Sequence, residues 1–103
     1  MNITIFYTPY PSKEVAAEVI KTLLAEKLIA CGNVVTSDSM YMWLGQLTTE
    51  NEYIAIMKTL PEKRERLTQR IASLHPYEVP AILHWQVEVN ESYYNWIKTE
   101  LVL

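Results

Sequence analysis

Glycine, cysteine and runs of basic residues are scarce in this chain of 103 residues, and each shortage excludes a class of site. Two glycines cannot build a glycine-rich loop that cradles phosphates. A single cysteine, Cys31, excludes an internal disulfide framework and is typical of a reducing compartment. Nine Lys and Arg against twelve Asp and Glu give a net charge of -3. With no basic run, we predict no nucleic-acid partner.

Long apolar runs are absent as well. No stretch approaches the roughly 20 apolar residues that cross a bilayer, so we predict no membrane association. The first residues carry no positive leader and reach Pro9 early, which is not the pattern of a signal peptide. Because half of the residues are hydrophobic and 20% are charged, disorder is excluded. We expect one cytoplasmic domain over residues 1–103.

Hydrophobic periodicity predicts four strands and three helices. Alternating apolar residues indicate strands, and apolar residues at spacings of three and four indicate helices. Ser12 and Asn90 are placed to cap the first and last helices, and Thr59 with Glu62 has the spacing of a capping box. The predicted strands span about 2–8, 29–44, 50–59 and 82–89, and the helices about 13–27, 61–74 and 91–101.

This order of elements predicts an α+β fold of the ferredoxin-like βαββαβ type, with an extra C-terminal helix. Right-handed crossovers place both earlier helices on one face of a single antiparallel sheet. The other face is then left bare, and a bare apolar face favours association with another molecule.

The second and third strands form a long hairpin whose far end is apolar on both faces. Between Leu28 and Thr49 the only charged residue is Asp38. Two helices cannot cover both faces of such a hairpin, so we predict that the chain oligomerises through it. The predicted interface has Tyr41 and Trp43 on one face and Met40, Met42 and Leu44 on the other.

The segment from Leu74 to Pro80 is rich in groups that carry chemistry. Pro76 and Pro80 restrict the backbone of the residues before them, so the segment is a stiff connector. It is either a plain exit from a helix into a strand, or a support that holds His75, Tyr77 and Glu78 against a ligand.

Residues 75–80, His-Pro-Tyr-Glu-Val-Pro, resemble the signature of the CutA family of divalent-cation tolerance proteins. The resemblance implies a homotrimer similar in architecture to the PII signalling proteins, built by the long hairpins, with clefts between subunits. It also implies a role in copper or other divalent-cation tolerance, with no agreed catalysed reaction. Further similar segments are Thr8-Pro9, residues 28–33, residues 39–45, Lys58-Thr59 and residues 94–97.

The chain departs from the family pattern in its second strand. It is one residue short between Asn33 and Ser39, where Thr36-Ser37 replaces the usual Pro-Gly. We therefore expect a β-bulge to be missing or remade there.

The resemblance and the donor atoms suggest a metal site. Imidazole and carboxylate from His75 and Glu78, and the softer thiol of Cys31, are ligands for Cu(II) or another divalent cation. His75 and Glu78 together make only half of a metal site, so a neighbouring subunit would have to complete it. No organic cofactor is implied.

Three other functions remain open at this point, and one of them is a plain structural or partner-binding role. A PII-like trimer could sense a small molecule or anion with Trp43, Lys58 and Tyr77 in the cleft between subunits. Lys58 could instead simply extend to the end of the sheet or pair with Glu78. An enzyme would use His75 as a general base oriented by Glu78, but no triad or carboxylate pair accompanies them, so we predict no catalysis.

Overall fold

The strands and helices follow one another along the chain in the predicted order. The structure is a computed structural model, and it describes residues 1–102. The elements are β1 (Asn2–Tyr10), α1 (Lys13–Ala25), β2 (Cys31–Trp43), β3 (Gln46–Thr59), a 3-10 turn (Pro61–Lys63), α2 (Arg64–Leu74), β4 (Leu83–Glu88) and α3 (Glu91–Leu101).

The four strands form one antiparallel sheet in the order β2-β3-β1-β4. β1 lies between β3 and β4, as its two apolar faces predicted. It also runs two residues beyond the predicted end at residue 8. Because the pairing of β1 with β4 stops at Tyr7, no β4 residue lies opposite Pro9. The missing N–H of Pro9 therefore costs no hydrogen bond to β4. The ferredoxin-like α+β prediction is confirmed.

The main core lies between one sheet face and the first two helices. Phe6 of β1 and Met57 of β3 are fully buried, and they pack with Leu23 of α1 and Ile71 of α2. Leu23 and Ile71 each belong to the apolar stripe of an amphipathic helix, and both stripes face the same side of the sheet.

The second sheet face is less bare than the sequence predicted. Helix α3 packs on it at one end, where Ile97 and Leu101 form a separate core with Ile3. The remainder of this face keeps Leu83 and Trp85 exposed. The prediction of an uncovered face therefore holds only for the part that α3 does not reach.

The β2–β3 hairpin projects beyond the rest of the sheet. Its register is unbroken from the Cys31–Lys58 pair to the Trp43–Gln46 pair, so no bulge replaces the missing residue. Residues 37–43 pair only with residues 46–52, because β1 ends opposite Tyr53. Leu44 and Gly45 turn the chain with φ values of 51° and 79°, and both φ angles are positive, as a two-residue hairpin turn requires.

The helix caps are only partly as predicted. Ser12 accepts a hydrogen bond from the Val15 N–H at 3.1 Å, which confirms that cap. The Thr59–Glu62 capping box is wrong, because Thr59 ends β3 and its hydroxyl donates to the Leu28 carbonyl at 2.7 Å. Asn90 occupies the N-cap position, but its side chain donates to Ser92 instead of capping α3.

The Thr59 hydroxyl is fully buried, so its loss tests this packing directly. Thr59→Val keeps the shape and leaves the Leu28 carbonyl without its partner, so we expect the free energy of unfolding to fall by about 1–3 kcal/mol. Thr99→Val, at an exposed helix position, should change it by less than about 0.5 kcal/mol. Equal losses in the two variants, measured by urea denaturation, would contradict this assignment.

Candidate functional site

A cleft of about 470 Å³ lies where the hairpin leaves the sheet. One wall is the face of the hairpin that carries Tyr41 and Trp43, and the other wall is the segment that follows α2. Its size is typical of sites for small ligands. The lining residues are Pro9, Tyr41, Trp43, Thr48, Glu50, Glu52, Pro76, Tyr77, Glu78, Val79 and Ala81.

The imidazole of His75 fastens the second wall to β1. Its Nε2 donates to the Pro9 carbonyl at 2.7 Å, and its Nδ1 accepts from the Tyr77 N–H at 3.1 Å. The ring also stacks on Tyr10, with 4.4 Å between ring centres. A carbonyl can only accept and an N–H can only donate, so both bonds require the neutral ring with its proton on Nε2. Burial lowers the pKa of His75, in agreement with this form.

Two tyrosine–glutamate pairs line the cleft, and the first of them joins its two walls. The Tyr77 hydroxyl donates to Oε2 of Glu52 at 2.7 Å, and Glu52 is only 7% exposed. Burial and this bond raise the pKa of Tyr77. Nearer the tip, the Tyr41 hydroxyl donates to Glu50, and that bond raises the pKa of Tyr41 to about 12.

Sequence reasoning missed both glutamates. They lie two residues apart on β3, on the same face as Tyr41 and Trp43 across the hairpin. The face on which these glutamates lie follows from the register of the two strands. The sequence predicts that β3 starts at about residue 50, whereas it starts at Gln46, so the register of the hairpin tip could not be assigned. The signal that could have found them is the alternation of Glu50 and Glu52 on the strand predicted to pair with the one that carries Tyr41 and Trp43.

The structure does not bring the three predicted metal donors together. Glu78 is exposed at the cleft, whereas both ring nitrogens of His75 already have hydrogen-bond partners. Cys31 lies opposite Lys58, and its Sγ is 3.4 Å from the Tyr93 hydroxyl. Within residues 1–102, no three His, Cys, Asp or Glu side chains are grouped to hold one metal ion. A site with three such side-chain ligands would therefore need donors beyond the described residues of one chain.

The predicted ligand-binding set is also divided. Trp43 and Tyr77 line the cleft, but Lys58 does not, and its ammonium donates to Oδ1 of Asn33 at 3.1 Å. The lining contains three carboxylates and no lysine or arginine. Coulomb repulsion therefore opposes an anion in the cleft as one chain forms it, and the predicted anion site finds no support there.

Comparison with known proteins shows which family shares this fold and this cleft segment. Residues 4–100 match the family model described as CutA1 divalent ion tolerance protein. The chain belongs to the CutA family. The predicted family resemblance is thereby confirmed, and the family name gives no indication of a catalysed reaction.

Several individual CutA proteins are similar over almost the whole chain. The divalent-cation tolerance protein CutA of Pyrococcus horikoshii is 45% identical over 97 residues, which cover 93% of this chain and 95% of that protein. The Thermotoga maritima protein of the same name is 39% identical over 97 residues, 93% of this chain and 96% of its own. A crystal structure of P. horikoshii CutA1 superposes with a TM-score of 0.94 at 42% identity, covering 97% and 99% of the two chains.

Family membership does not decide the cellular compartment. A similar structure from Archaeoglobus fulgidus is named a periplasmic CutA, and a rice relative is named chloroplastic. No helix within residues 1–102 has the length and apolar character needed to cross a bilayer. The cytoplasmic location therefore stays a prediction.

The two bonds of His75 make the cleft wall sensitive to pH. Protonation would place a proton on Nδ1, where it opposes the Tyr77 N–H, and Glu52 is the nearby carboxylate that favours the charged ring. The folded-state pKa lies below the unfolded value of about 6.5, so the unfolded chain binds the proton more tightly. The stability contribution is thus complete above about pH 6.5 and is lost as the pH falls through the lowered folded pKa.

We expect the free energy of unfolding to decrease between pH 7 and pH 5, and to decrease less in His75→Gln. His84→Gln removes the other histidine, which is exposed, and should keep the wild-type slope. Denaturant titrations at several pH values measure these slopes. An unaltered slope in His75→Gln would contradict the assigned neutral ring.

Proposed function

We propose that this chain forms a homotrimer and binds a divalent cation between its subunits, as the divalent-cation tolerance for which its family is named suggests. The observation that carries the proposal is the projecting hairpin, whose exposed apolar tip lies beside a carboxylate-lined cleft that is incomplete as a metal site. No catalytic role is assigned to any residue.

The apolar tip supports assembly. Met40, Met42 and Leu47 are 64–72% exposed on one face of the hairpin, and Leu44 at the turn is 88% exposed. On the opposite face, Tyr41 and Trp43 remain 37% and 45% exposed. Large contiguous apolar patches mark interfaces in soluble proteins. A closed ring of subunits would cover the tips and also pair the outer strands β2 and β4, which end the sheet.

The cleft supports binding of a cation by oxygen ligands. Glu78 and Glu50 are exposed carboxylates on its two walls, and Glu52 lies deeper. Oxygen ligands suit hard divalent ions, and a cation also relieves repulsion among the carboxylates. Because one chain does not group three donors, the remaining ligands come from a neighbouring subunit or from water. His75 serves chiefly to position Tyr77 and Glu78, since ligation would break one of its two hydrogen bonds.

Cys31 is the alternative metal donor. Its thiol is half-buried and contacts the hydroxyl of Tyr93 in α3. A thiolate prefers Cu(I) to harder ions, so binding at Cys31 would differ in ion selectivity from binding in the cleft.

Assembly is tested by charging the tip. Wild type should sediment as a trimer at micromolar concentration, and Met42→Asp should dissociate it, because burying an unpaired carboxylate costs about 3 kcal/mol or more. Leu24→Asp places the same charge on α1, also at an exposed apolar residue, and should leave the trimer intact. A wild-type monomer, or an unchanged Met42→Asp trimer, would contradict the proposed interface.

Metal binding is tested by calorimetry with Cu(II) on the wild type, Glu78→Gln, His75→Ala and Cys31→Ser. We expect Glu78→Gln to weaken binding roughly tenfold or more, and Cys31→Ser to bind as the wild type does. His75→Ala should weaken it less than Glu78→Gln, through misplacement of the segment. Loss of binding only in Cys31→Ser would move the ion to β2, and unchanged binding in all three variants would overturn the cleft site.

A further inference from the structure

The cleft combines aromatic faces with negative charge in a way that a metal ion does not require. Tyr41 and Trp43 on the hairpin and Tyr77 on the opposite wall supply three aromatic rings. Glu50, Glu52 and Glu78 supply three carboxylates, and no lysine or arginine lines the cavity. Aromatic faces attract organic cations through the negative potential of the ring, whereas a hard metal ion gains nothing from them.

Glu52 is buried, whereas the other two carboxylates of the cleft, Glu50 and Glu78, are exposed. Only 7% of the Glu52 surface is exposed, and its carboxylate accepts a hydrogen bond from the neutral hydroxyl of Tyr77. Among residues 1–102, the ion pairs are Lys21–Glu18 and Arg70–Glu26, so Glu52 has no cationic partner in the described part of the chain. A buried carboxylate is strongly favoured by pairing with a cation. Its place in the cleft lining lets a bound molecule supply that cation.

We propose that this cleft binds a small organic ammonium ion that carries an apolar substituent. The ammonium group lies toward Glu52 and accepts the charge-assisted pairing that the protein does not supply. The apolar part packs against Trp43 and Tyr77, with Val79 and Pro76 completing the wall. The cavity of about 470 Å³ is large enough for an amine with an aromatic or branched aliphatic group.

This inference goes beyond the proposed metal binding and does not depend on a bound metal ion. A divalent ion needs several oxygen ligands around one point, and one chain does not group three donors in that way. An organic cation needs only one carboxylate and flat apolar walls, which the described residues of a single chain already provide. A lysine of a second copy could supply the same ammonium group, and the experiment separates that source from a free amine.

The test is calorimetry of the metal-free protein with 2-phenylethylammonium, and with 2-phenylethanol as the neutral molecule of the same shape. We expect the ammonium ion to bind with a Kd of about 1 mM or tighter, and the alcohol to bind roughly tenfold more weakly or not at all. Glu52→Gln keeps the side-chain shape and should weaken ammonium binding roughly tenfold. Glu88→Gln, an exposed carboxylate on β4, makes the same change in net charge and should bind as the wild type does.

A pair of variants at Tyr77 tests the aromatic wall. Tyr77→Phe keeps the ring and Tyr77→Leu does not, so the Phe variant should bind the ammonium ion roughly threefold or more tightly than the Leu variant. Thermal unfolding of each variant verifies that it is folded. Equal affinity for the alcohol and the ammonium ion, or unchanged binding in Glu52→Gln, would overturn the proposal. Absence of ammonium binding to folded wild type would also overturn it, including the case in which a neighbouring lysine already fills the cleft.

Discussion

The cleft depends on one imidazole ring with two hydrogen bonds. His75 joins the Pro9 carbonyl at the end of β1 to the Tyr77 N–H, and its stacking on Tyr10 fixes the plane of the ring. Pro76 stiffens the chain between His75 and Tyr77, and the Tyr77 side chain is directed toward Glu52. Both ring nitrogens of the histidine that the sequence presents as a ligand or base are therefore engaged in holding this wall, and the cleft is lined instead by aromatic and carboxylate side chains.

The hairpin shows features that cost stability in an isolated chain. Leu44 adopts a positive φ angle, which costs a residue with a Cβ about 1–2 kcal/mol, and its side chain is almost fully exposed. Asparagine or glycine would fit that turn with less strain. Met40 and Met42 likewise give no core packing to their own chain. Such residues are understandable if the tip packs against another subunit, which is why the hairpin carries the proposal of assembly.

Much of the fold could be predicted from the sequence because periodicity depends on local patterns. The helix α3 was placed at its observed bounds, and the apolar residues of β1 correctly indicated a central strand. The capping role of Thr59 and the end of β1 before Pro9 were wrong predictions, because both depend on contacts with segments that are distant in sequence. The cleft was predicted only in part: Trp43 and Tyr77 line it, whereas Lys58 does not, and Glu50 and Glu52 were missed. Spacing along one strand cannot show which residues a register shift of one position would bring to that face.

We propose that a divalent cation binds in this cleft with ligands from more than one subunit. Anomalous X-ray diffraction from crystals soaked in Mn(II), and separately in Cu(II), identifies the scattering element and locates the ion relative to its ligands. We expect a peak within ligand distance, about 2.0–2.4 Å, of a Glu78 carboxylate oxygen and of a donor from a neighbouring subunit. A peak at Cys31 alone, or none in the cleft of a fully soaked crystal, would contradict it.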